Sequence, residues 1–144
     1  PKVIEFNCRL GDPEAQAVLP LTRGGLVDPM RAVARGGALD GWKPDLAPGA
    51  ALVTVLVSDG YPGSYPKGLP IEIPEDLEGP EVHVYHAGTA DSPDGLVTSG
   101  GRVLGVTGIG ADLSEAARRS REAAGRIRFE GAKFRRDIGH SELD

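Results

Sequence analysis

The chain is short of several things that would otherwise place it quickly. It has one cysteine, Cys8, in 144 residues. That excludes an internal disulfide framework and a cysteine-built zinc site, and nothing in cysteine usage points to secretion. Long apolar runs are lacking: the longest, near residues 49–57, is far below the roughly 20 residues that span a bilayer. The start carries no charged region followed by an apolar stretch, so no signal peptide is read there. Cations are outnumbered, with Lys+Arg 16 against Asp+Glu 21 and a net charge of −5. A general nucleic-acid binder is therefore not expected, although a local phosphate site needs only a few positioned groups. No partner nucleic acid or membrane is expected, and the default compartment is the cytoplasm.

Glycine and proline are plentiful, at 21 and 12, but they punctuate apolar segments instead of forming a low-complexity tract. That is the texture of turn-rich β structure. The most informative segment is residues 5–14, Glu-Phe-Asn-Cys-Arg-Leu-Gly-Asp-Pro-Glu, behind Val3-Ile4. Val3, Ile4 and Phe6 predict a strand, which projects Glu5, Asn7 and Arg9 from one face. An anionic oxygen, an amide oxygen and a cation in a row suit a hard divalent cation bound to phosphate; the plainer alternative is the solvent face of an edge strand. Gly11-Asp12-Pro13-Glu14 then turns the chain and opens a helix whose backbone N–H groups can face an anion. The motif begins almost at Pro1, with no initiator Met, so the chain reads as a piece of something longer.

The pattern predicts a short helix over residues 13–21 with Asp12 as N-cap, and a second from Asp28-Pro29 to Gly36-Gly37. Residues 36–49, with Trp42, Pro44 and Pro48, have no period and read as a linker, with a domain boundary near Lys43. Residues 50–58 form a buried strand. Residues 59–68 are a Gly/Pro loop, 69–73 a short edge strand interrupted by Pro70, and 81–86 a strand that leads into a turn at 87–89. Residues 95–99 and 102–107 look like a hairpin across Gly100-Gly101. Asp112 and Glu115 have capping-box spacing, and Leu113, Ala116, Ala117, Ala124 and Ile127 mark the apolar face of a helix that ends near Arg128. A basic tail, 131–140, turns acidic. The expected class is α+β: an antiparallel sheet with a helix packed on one face.

Five segments in order resemble one family. Residues 5–14 look like the metal-binding strand and turn of the phosphoribosylamine–glycine ligases, members of the ATP-grasp superfamily. Gly60-Tyr61-Pro62-Gly63-Ser64-Tyr65-Pro66-Lys67-Gly68 resembles that family's Gly-Tyr-Pro loop. His86-Ala87-Gly88-Thr89, the run from Val97 to Leu104 and Phe134-Arg135-Arg136-Asp137-Ile138-Gly139 resemble its C-terminal domain. The resemblance implies that residues 1–43 are the end of an ATP-grasp domain and 44–144 the C-terminal α+β domain. It implies ATP, glycine and 5-phosphoribosylamine as substrates, with Mg²⁺ or Mn²⁺ held by Glu5 and Asn7. Arg9 would face the substrate carboxylate or acyl phosphate, and Gly11 and Asp12 would help form the substrate pocket. Leu10 stands where the family usually has an aromatic, a change expected to affect packing alone. A glycine-rich nucleotide lid, an adenine-facing segment and the family's N-terminal domain have no counterpart here. The fragment is therefore expected to pack on those missing domains and to be inactive alone. The rival readings are a non-catalytic small-ligand module and an interdomain scaffold.

Other motifs carry plainer meanings. Tyr61 and Lys67 are tempting ligand contacts, but a Tyr packed on the sheet and a solvated Lys explain them. His83 and His86 fall on opposite strand faces and make poor joint ligands. The glycines of residues 105–110 are in the wrong order for a dinucleotide loop. The arginines of 118–128, interleaved with Glu115 and Glu122, read as a solvated helix face.

Overall fold

The computed structural model describes residues 2–3 and 9–142, so the expected strand bearing Glu5 and Asn7 lies outside the described residues. In chain order the elements are α1 (Glu14–Val18), β1 (Thr22–Arg23), α2 (Val27–Ala34), β2 (Asp45–Leu46), β3 (Ala50–Val57), β4 (Val82–His86), β5 (Thr89–Ser92), β6 (Gly95–Thr98), β7 (Arg102–Gly110) and α3 (Leu113–Ala124). Short 3₁₀ turns occupy Leu19–Leu21 and His140–Glu142. The class is α+β, as the composition of the segments predicts.

The central sheet has the order β3-β7-β4 and is antiparallel throughout. On β3 the side chains alternate: Leu52, Thr54 and Leu56 are buried beneath α3, while Ala51, Val53, Val55 and Val57 face the other way. As the middle strand, β7 is covered on both faces, which accounts for its nearly unbroken burial. Helix α3 is capped as its spacing predicts. Asp112 accepts from the Glu115 N–H at 2.8 Å, and the Glu115 carboxylate accepts from the Ala111 N–H at 2.8 Å. Its buried residues are all small, namely Ala116, Ala117, Ser120, Ala123 and Ala124. Its outer face carries ion pairs such as Arg118–Glu122 at 2.7 Å.

Small residues on α3 meet absent side chains on β7. A Cβ at Gly108 would lie 2.4 Å from both the Ala116 carbonyl oxygen and the Ser120 nitrogen, and one at Gly110 would lie 2.7 Å from the Ala116 nitrogen. The run that fails as a dinucleotide loop is thus a close-packing surface. Ser120 uses the proximity: its hydroxyl donates to the Val106 carbonyl at 2.8 Å and receives the Thr54 hydroxyl at 2.6 Å. Beyond it, Leu56, Leu104, Val106, Ile127 and Phe129 form the main core with Ile71 and Leu77.

Several expectations are corrected. The hairpin across Gly100-Gly101 does not form: β6 pairs with β5, and β7 enters the central sheet. A backbone crossing replaces the turn, because Gly100 abuts Gly88 (2.9 Å from the Cβ position to the Gly88 Cα) and its N–H donates to the Gly88 carbonyl at 3.1 Å. Thr89 accordingly opens β5 instead of closing a turn. Residues 69–73 make isolated bridges, Pro70 to Val97 and Glu72 to Arg128, not a strand. The linker stretch contains β2, whose Asp45 and Leu46 pair with Arg23 and Thr22. Helix α3 stops at Gly125, with Ile127 buried just past it. Asp12 is not an N-cap: Pro13 occupies that position without a side-chain cap, and the Asp12 carboxylate is engaged elsewhere.

The tail is tied down at intervals. Lys133 exchanges backbone hydrogen bonds with Val57, and the Arg121 guanidinium donates to the Ile138 carbonyl at 2.6 Å. Arg135 grips Asp137 with two bonds, 3.0 and 2.7 Å. That fork, helped by a backbone donor, holds the Asp137 carboxyl down to about 2. Helix α2, by contrast, leaves Val27, Met30 and Val33 exposed beside Leu39 and Trp42.

Gly108→Ala is expected to lower stability by about 2 kcal/mol or more, since α3 must shift. Gly25→Ala, with nothing within 4 Å of its Cβ position, should stay within about 0.5 kcal/mol of the parent in urea unfolding. Because the folded pKa of Asp137 lies below its ordinary 3.8, its contribution is complete above that value and fades as pH falls toward about 2. Side-chain carboxyl NMR should place the Asp137 midpoint at about 2, and Arg135→Ala should return it toward the ordinary range. A parent midpoint already in that range contradicts the fork.

Candidate functional site

Three of the quoted segments meet at one end of the sheet. The Ser58 N–H and hydroxyl donate to the carbonyls of Gly101 and Gly100 at 2.8 and 3.1 Å, which ties the start of the Gly-Tyr-Pro loop to the Gly-Gly crossing. The Ser99 N–H donates to the Gly88 carbonyl at 2.7 Å and brings in the His-Ala-Gly-Thr segment. Tyr61 and Tyr65, with ring centroids 6.4 Å apart, close over Gly101, where a Cβ would meet Tyr61 at 2.3 Å. Lys67 places its Nζ 5.9 Å from the Tyr65 centroid, a cation–π arrangement. Tyr61 itself is 42% exposed.

From this end a cleft of about 660 Å³ runs along the face of β3 opposite α3. Its floor is Ala51, Val53, Val55 and Val57; Pro13, Glu14 and Ala17 form one wall, with Tyr61, Phe134 and Ile138 elsewhere on the lining. Arg102, Lys133 and Arg135 also line it, and each is paired with a carboxylate. Arg102 reaches Asp12 at 2.7 Å. Lys133 bonds Asp59 and thereby holds that carboxyl below its ordinary range. The cleft is thus apolar along its floor, and the cations on its lining are each held by a carboxylate.

The predicted site residues are placed unevenly. Asp12 precedes the cleft-lining Pro13, with Oδ2 bound to Arg102 at 2.7 Å and Oδ1 to the Gln16 amide at 3.2 Å. Gly11 lies next to it under the Glu14 side chain, whose Oε2 takes the space a Cβ would need (1.3 Å). Arg9 is exposed and donates to the Leu10 carbonyl at 3.0 Å. Glu5 and Asn7 lie outside the described residues. The histidines are not a joint site: His86 bonds Thr89 at 3.0 Å, while the His83 ring tilts against Tyr85 at 6.4 Å. Among the described residues, no group of three His, Cys, Asp or Glu is placed to hold a metal. Sequence reasoning missed Arg102 as a partner of Asp12. Its only signal was a lone cation between Gly-Gly and an apolar run.

The chain is similar to known proteins along nearly its whole length. The family model described as "Phosphoribosylglycinamide synthetase, C domain" matches residues 51–141. Phosphoribosylamine–glycine ligase of Chlorobaculum tepidum is 47% identical over 146 residues, covering 99% of this chain and 34% of that protein. The chicken (Gallus gallus) trifunctional purine biosynthetic protein adenosine-3 is 43% identical, covering 99% of this chain and 14% of its own length. The crystal structure of phosphoribosylamine–glycine ligase from Thermotoga maritima superposes with a TM-score of 0.79 at 39% identity, covering 95% of this chain and 33% of that one. The chain spans about a third of the single-function ligases it matches and about a seventh of the trifunctional protein. With the family model matching over most of its length, the chain belongs to the phosphoribosylglycinamide synthetase C-domain family.

Proposed function

We propose that this chain is the C-terminal part of an ATP-dependent ligase that joins glycine to 5-phosphoribosylamine in purine biosynthesis. The observation that carries the reading is identity of 47% along 99% of the chain to a protein named for that reaction. In the proposed reaction the γ-phosphoryl group of ATP passes to a glycine carboxylate oxygen and ADP leaves. The amine nitrogen of 5-phosphoribosylamine then attacks the acyl carbon, phosphate departs and the nitrogen loses a proton, which gives glycinamide ribonucleotide.

On this reading residues 1–43 close the ATP-grasp domain and 44–144 form the C-terminal domain, which packs on the N-terminal and ATP-grasp portions. Arg9 offers a planar fork to the glycine carboxylate or its acyl phosphate. Gly11 and Asp12 help to wall the substrate pocket. Glu5 and Asn7 supply one anionic and one neutral hard oxygen, a donor set that suits Mg²⁺ or Mn²⁺ with its remaining positions left to phosphate and water. Bound there, the ion would neutralise charge on the phosphates of ATP. The cytoplasm is the proposed compartment, in keeping with the lone Cys8. Among the described residues no helix is long and apolar enough to cross a membrane.

The test is Glu5→Gln in the complete ligase carrying this chain. Loss of an anionic metal ligand should reduce glycinamide ribonucleotide formation by about 100-fold or more, and the isolated chain should show no turnover. Unchanged turnover in the variant would refute the catalytic assignment.

A further inference from the structure

The strand β7 contains an irregularity that bears on the proposed site. Leu56 pairs with Leu104, but the next residue, Val57, pairs with Arg102, so Val103 is an extra residue with no partner on β3. Its carbonyl instead accepts from Ala87 and Gly88 on the other side, both at 3.1 Å. Such a bulge inserts one residue into the alternation and re-aims what lies beyond it. Val103 and Leu104 consequently are both fully buried, and Arg102 emerges beside Val57 on the cleft face, with Gly105 and Thr107. In unbroken alternation Arg102 would face α3 with Leu104 and Val106.

The re-aimed guanidinium meets Asp12. Both oxygens of that carboxylate are taken, by Arg102 at 2.7 Å and by the Gln16 amide at 3.2 Å. A carboxylate only accepts, so the Gln16 nitrogen must point at it, and the amide oxygen is left buried without a partner. Thr107, fully buried on the same strand, donates its hydroxyl to the Gln16 carbonyl at 2.9 Å. One strand therefore grips both ends of the turn that opens α1. A half-exposed ion pair adds little to folding stability, so stability alone is a weak reason for this arrangement.

We propose that Arg102, turned by the bulge at Val103, is a positioning residue of the ligase site: through Asp12 it holds residues 9–13 against the central strand. The inference rests on the ligase reading for its catalytic consequence, since Arg9, Gly11 and Asp12 are the residues assigned there to substrate. Small misplacement of such groups is costly to rate, on the order of 100-fold per ångström.

Arg102→Gln in the complete ligase should lower kcat/KM by roughly ten-fold, mainly through KM for glycine or the phosphoribosylamine, with KM for ATP unmoved. Arg102→Lys should recover most of the loss. The Asp12→Asn/Arg102→Gln double variant should be no worse than Asp12→Asn alone, as expected for residues that act as a unit. Losses that multiply would mean that Arg102 acts apart from Asp12, and would overturn the proposal. Hydrogen exchange gives a readout independent of turnover. In Arg102→Gln a peptide over residues 9–18 should exchange faster, while one over 103–110 is unchanged. Unaltered exchange at 9–18 overturns the clamp whatever the activity. Absence of turnover in the unsubstituted ligase counts instead against the ligase reading, with the clamp still decided by exchange.

Discussion

Helix α3 can rest on the sheet at its observed depth only because β7 offers backbone where side chains would stand. Gly108 and Gly110 leave the space, and the helix fills it with alanines and one serine. Close approach lets the Thr54–Ser120–Val106 chain of hydroxyl bonds form in a fully buried setting, where each group would be expensive to leave unpaired. With α3 seated this way, one face of the sheet is closed. The opposite face of β3 is left for α1 and the cleft, so the helix contact on one side determines which residues are available on the other.

The available face combines two surfaces of different character. Its floor is aliphatic, and two of the three cations at its edge are matched by a carboxylate from a distant part of the chain: Asp12, ninety positions away from Arg102, and Asp59, seventy-four from Lys133, while Arg135 takes its near neighbour Asp137. Such matching lets an apolar cleft carry charge at its rim without a large net field. It also stitches the N-terminal turn, the Gly-Tyr-Pro loop and the C-terminal tail to one sheet. These are among the segments that resemble the ligases, and they come together although they are scattered in sequence.

What was legible in the sequence was local. The β-branched run of β3 and the Asp112–Glu115 cap are set by neighbours within a few positions, and both formed as expected. The Gly100-Gly101 pair misled because two glycines signal a tight turn equally with a close crossing, and the deciding partner, Gly88, lies twelve positions back. Asp12 misled similarly. A short acid ahead of a proline is a good local cap, but the Arg102 guanidinium offered a stronger charged partner from across the fold. At the site, the types of residue were readable and their pairings were not, because pairing depends on register. The β2 segment escaped notice since two residues have no period to detect.

The Val103 bulge makes strand length itself a constraint. Elsewhere in an antiparallel sheet, adding or removing a loop residue is absorbed at the surface. Here the unpaired Val103 decides parity: drawn into register opposite Val57, it would push Arg102 one place on and turn the guanidinium under α3 among Leu56 and Val106, and deleted, it would take away the carbonyl that Ala87 and Gly88 share. The strand could drift in composition, exchanging one aliphatic for another, more readily than it could change in length. Tolerance to substitution and tolerance to deletion are thus separated within nine residues.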